Sequence, residues 1–371
     1  MEHTFTNNIK SILEKKFGKD AEDIFNNSQL IQYINFKTKS ANKGSKARSS
    51  FASLYAVYVV IEDYINRGYD RQNGYENYEG ATFVSLFTRQ RELPFGDKLQ
   101  NHALNNRVNS EFQKYFPSSE LTLILRSHET NRYWVNEHLL KIKVGGASYN
   151  LANTVIEIIN EYIETKQLAF QRFVNTLEEF QRVEKSKPEK VIEFIHGLLA
   201  ANVDARLFEI ISYSILKYYY YDQHIYWGYD LGKLNKENLK LFKTGRTNAN
   251  DGGIDFVMRP LGRFFQVTET LDFKKYFLDI DKVQKFPITF VIKSDEPIED
   301  ILRKIKDNAN KIYLVKSIVD AYIGCIEEVI NIQILKEHFT SSINMGYLGQ
   351  ILDEIIVQSR VEFNYRVDLS G

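Results

Sequence analysis

The run Asn250-Asp251-Gly252-Gly253-Ile254-Asp255-Phe256-Val257 puts a carboxylate where a strand should begin. Two glycines permit a tight turn or a close backbone approach, and the apolar residues that follow read as a buried strand. By alternation Asp255 faces away from Ile254 and Phe256, on the side of Gly253 and Val257. A carboxylate among buried strand residues is costly unless a cation compensates it. A divalent metal is one such cation, because Mg²⁺ takes one or two carboxylates together with waters and phosphate oxygens. Asp251 reads instead as a turn residue capping local amides. Taken alone, Asp255 is open to both readings.

A second stretch, Arg263-Phe264-Phe265-Gln266-Val267-Thr268-Glu269, alternates apolar and polar residues. Phe265 and Val267 share one face, and Gln266 and Thr268 share the other. A hairpin turning at Arg259-Pro260-Leu261-Gly262 would set Gln266 and Thr268 beside Asp255. Upstream, Arg206-Leu207-Phe208-Glu209-Ile210-Ile211 opens a helix in which Glu209 is the one acid between Asp204 and Asp222. It interrupts an otherwise apolar surface.

The elements that must position these groups follow from periodicity. Helices are expected at Ile9–Phe17, Phe51–Asn66, Asn150–Thr165 and Leu168–Val183, where apolar residues recur every three or four positions. Between them lies a mixed stretch with strand candidates at Leu121–Leu125 and Leu139–Val144. Lys185-Ser186-Lys187-Pro188-Glu189 is a polar turn with a proline suited to a helix start, and it marks a boundary. Beyond it, helices are expected at Val191–Leu199 and Ala205–Tyr220, and strands at Gly253–Met258 and Arg263–Thr270. A helical segment follows, then a strand at Ile288–Lys293, a helix at Ile298–Asn310, a strand at Ile312–Val315 and a last helix from Val319 to about Glu337. Such alternation predicts an α/β fold, a mixed sheet flanked by helices. The organisation is a mainly helical region over 1–187 and an α/β core over 188–371.

Glu209, Asp255 and Gln266 in that order resemble the PD-(D/E)XK nuclease superfamily, within it the branch of Mrr-like and several type II restriction endonucleases. Phe208-Glu209 matches the helix glutamate, Asp251-Gly252-Gly253-Ile254-Asp255 the Gly-Gly-Ile-Asp strand, and Gln266-Val267-Thr268 the Gln-x-Lys strand without its lysine. The resemblance covers roughly residues 200 to 320. A fainter one, from Gly245 to Glu269, is to ApaLI-type restriction enzymes. It implies a restriction-endonuclease-like core with a large helical N-terminal region. The implied function is a sequence-specific double-stranded DNA endonuclease, acting as a homodimer and hydrolysing phosphodiester bonds with a metal-activated water. Mg²⁺ would be the cofactor, with Mn²⁺ as substitute, held by Asp255, Glu209 and Gln266. Thr268 in the lysine position leaves the cation unassigned: Lys274 is the first candidate, with Lys275 and Lys293 also near in sequence. Asp272-x-Lys274 ranks below Gln266-x-Thr268, because it falls where the strand should end. Glu269 should face the Phe265 and Val267 side unless a bulge re-aims it, and it stays a candidate ligand. Two alternatives remain: a modification-dependent or structure-dependent nuclease of DNA defence, and a DNA-binding protein that keeps the fold but has lost catalysis.

Composition narrows the classes further. The 371 residues are 43% hydrophobic, with 48 basic and 48 acidic side chains, so general basicity does not mark a nucleic-acid binder. The basic groups are uneven: Lys37, Lys39, Lys43, Lys46 and Arg48 fall in an acid-free run that reads as a loop, solvated or ordered by phosphate. Side chains able to read base edges gather at Arg89, Arg91, Gln100, Asn101 and Arg107, and again at Arg126, Asn131 and Arg132. The Tyr218–Tyr221 run reads as a packed helix face rather than a base-stacking platform. No run of 18 apolar residues and no secretory pattern at Met1–Thr4 is present, so a cytoplasmic protein is expected. The single cysteine, Cys325, reads as a core residue of a helix. The histidines lack zinc-ligand spacing, and no phosphate-binding glycine loop is present, so ATP is not expected.

Overall fold

The computed structural model describes residues 2–39, 46–71, 74–97, 99–200, 203, 205–244, 254–269 and 271–362. Asp251, with Gly252 and Gly253, and Lys43 lie outside the described residues. The chain divides into two compact units, Met1–Arg172 and Phe173–Gly371.

The first unit contains helices α1 (Thr6–Phe17), α2 (Ala21–Asn27), α3 (Gln29–Thr38) and α4 (Lys46–Asn66). Strand β1 (Ala81–Thr82) and helices α5 (Phe83–Glu92) and α6 (Val108–Tyr115) follow, then β2 (Ile124–Ser127), β3 (Arg132–Val135), α7 (Glu137–Leu140), β4 (Lys141–Val144) and β5 (Ala147–Asn150). Its core is built on α4, nearly all of whose described face is buried from Phe51 to Ile61. The strands form a small sheet in the order β1-β3-β2 and a separate β4-β5 hairpin. The strand expected at Leu121–Leu125 starts only at Ile124, and Leu139 and Leu140 end a helical turn capped by Asn136 rather than opening a strand.

Helix α8 runs unbroken over Ala152–Val183, where two helices were expected. Thr165-Lys166-Gln167 is polar but contains no glycine or proline, so nothing there interrupts the helical backbone. The division between units falls inside this helix rather than at Lys185–Glu189.

The second unit continues with α9 (Pro188–Leu198), α10 (Ala205–Tyr219), β6 (His224–Trp227), β7 (Asn235–Asn238), β8 (Lys240–Lys243), β9 (Phe256–Arg259) and β10 (Arg263–Thr268). Next are α11 (Phe273–Lys282), β11 (Ile288–Ile292), α12 (Ile298–Asn310), α13 (Lys316–Ile323), β12 (Ile326–Ile330), α14 (Ile332–Asn344) and α15 (Leu348–Glu362). A five-stranded mixed sheet has the order β12-β11-β10-β9-β8. Strands β8, β9 and β10 pair antiparallel, and β10, β11 and β12 pair parallel. Helices cover both faces. Phe256, Met258 and Phe265 pack with α10, α14 and α15, whereas Phe290, Ile288 and Ile292 pack with α11 and α12. With both faces covered, every residue of β11 is buried. The fold is therefore a mixed α/β architecture, as expected at that level.

Three expectations near the C-terminal end are corrected. Residues 312–315 are exposed and lead into α13; the place beside β11 is taken by β12 instead. The helix expected from Val319 to Glu337 is broken by Gly324 and the strand Ile326–Ile330. Cys325 lies in that break, half-buried, with its thiol against the carbonyl oxygens of Ala321 and Lys285. Periodicity alone runs through the break because apolar residues continue on both sides of it.

Candidate active site at the end of the mixed sheet

Asp255 precedes β9 by one residue and is held by the backbone on both sides of Gln266. Its amide donates to the Phe265 carbonyl at 3.0 Å, and its Oδ2 accepts the Val267 amide at 2.7 Å. Its own carbonyl accepts the Thr244 amide at 3.0 Å. These bonds fix the carboxylate between the end of β8 and the middle of β10. Only 6% of Asp255 is exposed. The expected alternation fails one position earlier: Ile254 packs in the same cluster as α11 and α12, opposite Phe256.

Gln266 and Thr268 are both buried, on the sheet face that carries α11. The Gln266 Nε2 donates to the Val267 carbonyl at 3.3 Å, while its Oε1 is buried and accepts no hydrogen bond among the described residues. A buried acceptor without a partner costs about 1–3 kcal/mol unless something binds it. The Thr268 hydroxyl accepts a hydrogen bond from Lys275 Nζ at 3.1 Å. Lys275 stands in the first turn of α11, whose N-cap is Asp272: the Asp272 carboxylate accepts the Lys274 amide at 3.1 Å. Asp272 is thus a helix cap rather than part of an Asp-x-Lys site. Lys274 is exposed, and Lys275, not Lys274, reaches the strand.

Glu209 lies in the first half of α10, flanked by buried Phe208 and Ile210. Its Oε1 is 2.9 Å from Lys243 Nζ at the end of β8. Glu209, Lys243 and Lys275 all act on Asp255. Burial, and then the negative charge of Glu209, pushes the Asp255 carboxyl up to about 8. The Val267 amide, Lys243 and Lys275 pull against that rise. Sequence reading missed Lys243, because nothing local marks a lysine ending a short exposed strand as the partner of a helix glutamate.

Glu269 takes a different place. Its Oε1 is 2.6 Å from Lys293 Nζ, which also donates to the Val203 carbonyl and lies 6.0 Å from the centre of the Phe208 ring. Lys293 is buried, and Glu269 is the carboxylate that neutralises it. It sits on the α10 side of the sheet, as alternation required.

No family model, curated protein or solved structure matches this chain. Its chemistry is therefore read from these side chains. Among the described residues, no group of three or more histidine, cysteine, aspartate or glutamate side chains forms a metal-binding cluster. What the structure brings together is two carboxylates, Asp255 and Glu209, near the strand that carries Gln266. Few protein oxygens, with the remainder left to water and substrate, is the pattern Mg²⁺ accepts. A cation there would also offset the burial and the Glu209 charge that raise the Asp255 carboxyl.

The basic side chains singled out in the first unit are placed unevenly. Lys37 is buried in α3 rather than carried on a loop; its ammonium is 2.7 Å from Glu111 Oε2, and burial depresses its pKa. Lys39 is exposed just after α3, and Lys46 and Arg48 open α4. Arg89 makes a two-pronged bond to Glu62, at 2.7 and 2.8 Å, and Arg91 Nε donates to the Asp97 carbonyl at 2.8 Å. Arg107 is paired with Glu111 at 3.0 Å, and Arg132 donates to the Gly80 carbonyl at 2.8 Å. Gln100 and Asn101 are exposed. Arg126 and Asn131 are exposed at either end of the β2–β3 turn, Arg126 lying over the Tyr133 ring at 5.1 Å. In the tyrosine run, Tyr220 is buried and Tyr219 stacks on His338, so most of it packs, while Tyr221 is half exposed.

Proposed function

We propose that this chain is a divalent-metal-dependent DNA endonuclease with a PD-(D/E)XK-type core in its second unit. The observation that carries the reading is the placement of Asp255. A buried carboxylate is tied to the β10 backbone on both sides of Gln266, and burial, then the charge of Glu209, pushes it towards protonation. Such a cluster is unfavourable as a structural device and favourable as a cation site.

Asp255 and Glu209 would hold the ion, and the Gln266 oxygen would complete or orient its shell. Mg²⁺ bound there supplies positive charge to the scissile phosphate and to the leaving 3′-oxygen, and activates a water. Lys275, braced on Thr268, would stabilise negative charge on phosphate or orient the attacking water. Lys243, 2.9 Å from Glu209, would supply a second positive charge near the ion. Hydrolysis adds water to phosphorus and breaks the bond to the 3′-oxygen. We infer further that the enzyme is a type II restriction endonuclease, a homodimer cutting both strands of double-stranded DNA. Exposed groups of the first unit, Arg126 and Asn131 among them, would contribute to reading the sequence.

The test is incubation with plasmid and phage DNA in Mg²⁺ or Mn²⁺, followed by sequencing of the ends. Discrete fragments sharing a motif are expected, and Asp255→Asn should abolish them while DNA binding persists. Cutting confined to modified or branched DNA would redirect the reading to a defence nuclease. A specific observation favours a third reading, a catalytically silent DNA-binding protein: Thr268 replaces the lysine on β10, and Lys243 already neutralises Glu209. Binding without cleavage in either metal would establish that one.

A further inference from the structure

The hairpin of β6 and β7, which leads into the edge strand β8, is exposed along almost its whole length. Tyr226, Trp227, Leu231 and Leu234 are all exposed, and Tyr229 at the tip is fully exposed. A soluble protein rarely leaves so many large apolar side chains together without a use for them. The tip is built rather than loose: the Lys233 carbonyl passes so close to Gly228 that a Cβ there would lie 2.5 Å from it. Asp230 caps the turn through the Gly232 amide at 2.8 Å.

Between this hairpin and the β9–β10 turn lies an open cavity of about 490 Å³, lined by Ile225, Trp227, Glu237, Arg259, Pro260 and Leu261. That volume falls in the range of small-ligand sites. Glu237 fixes the indole by accepting its Nε1–H at 3.2 Å. Arg259 forms no ion pair among the described residues, and Lys240 is its direct neighbour across the β8–β9 pair. Arg259 and Lys240 thus give the cavity rim two positive charges, against the one carboxylate of Glu237 in its lining. The surface therefore combines an aromatic ring held by Glu237, apolar walls and a net positive rim.

We propose that this cavity takes a nucleobase displaced from its stack, with the attached phosphate on Arg259 and Lys240. A flat heterocycle suits an indole held edge-on by Glu237 and backed by Pro260 and Leu261. A π-face carries no sequence code, so binding here should tolerate any base. The phosphate explains the basic edge, which an apolar protein partner would not require. The inference rests on the reading that the chain acts on DNA, but it places a second contact outside the catalytic cluster.

The chain has two tryptophans, so Trp134→Phe leaves Trp227 as the sole indole reporter. In that background, with Asp255→Asn to prevent cleavage, indole fluorescence is titrated with a short thymidine oligonucleotide, its duplex and heparin. Quenching by the single strand is expected, weaker quenching by duplex, and none by heparin. Arg259→Ala should weaken single-strand binding roughly ten-fold, about what one stacked and charge-anchored nucleotide contributes. Equal quenching by heparin, or no quenching by either DNA, overturns the proposal. Plasmid cleavage by the unmodified protein separates the two claims. Cleavage without quenching removes the base site alone, and quenching without cleavage removes the nuclease reading alone.

Discussion

Lys275 Nζ donates to Thr268 Oγ1 across 3.1 Å, joining the first turn of α11 to the last residue of β10. A lysine of the helix thus rests on a buried threonine of the strand. The charge of Lys275 is felt at Asp255, so the three residues form one electrostatic unit.

If that ammonium serves the reaction, Lys275→Ala should lower the cleavage rate about 10²–10³-fold, the usual cost of removing one group that stabilises developing charge. Lys274→Ala should leave it unchanged, since that side chain points to solvent. Single-turnover cleavage of a mapped site measures both. Equal losses in the two variants would sink the assignment.

Stability should depend on pH through Asp255. Its carboxyl rises from an ordinary 3.8 to about 8 on folding, chiefly through burial and then Glu209. The native state thus holds a proton that the unfolded chain releases between those values. The stability this contributes is complete below pH 4 and lost as pH rises through 8. Asp255→Asn, which can still accept the Val267 amide, should flatten that slope. In chelator it should gain on the order of a few kcal/mol over wild type near pH 8, and nothing near pH 4. Mg²⁺ should raise the wild-type melting temperature at pH 8 but not that of Asp255→Asn. Melting curves across pH, with and without metal, decide it.

Glu269 should reveal itself as a structural partner. Glu269→Ala leaves the buried Lys293 ammonium uncompensated and should cost about 2–3 kcal/mol in urea unfolding, less than a fully buried pair because Glu269 is partly exposed. A variant with unchanged stability and no cleavage would return Glu269 to the metal site.

In the first unit, Arg126→Ala should weaken DNA binding and reduce its salt dependence by about one phosphate contact. Arg89→Ala should leave affinity unchanged, because its guanidinium is occupied by Glu62. Fluorescence anisotropy over a salt series separates the two.

Much of the candidate site was legible in the order of residues, because it depends on local periodicity. The helix carrying Glu209, the turn at Arg259–Gly262, the shared face of Gln266 and Thr268 and the helix Ile298–Asn310 all follow from apolar spacing and turn chemistry within a few residues. Tertiary structure decided the pairings between distant elements. Which of two adjacent lysines reaches Thr268 depends on how α11 docks against β10, and both occupy the same first turn. The burial of Lys37 depends on α6 bringing Glu111 to α3, and the partnership of Lys243 with Glu209 on β8 lying beside α10. Local sequence sets which backbone forms and which face is apolar. It does not set which charges meet, since a salt bridge between separate elements exists only once packing has brought them within a few ångströms.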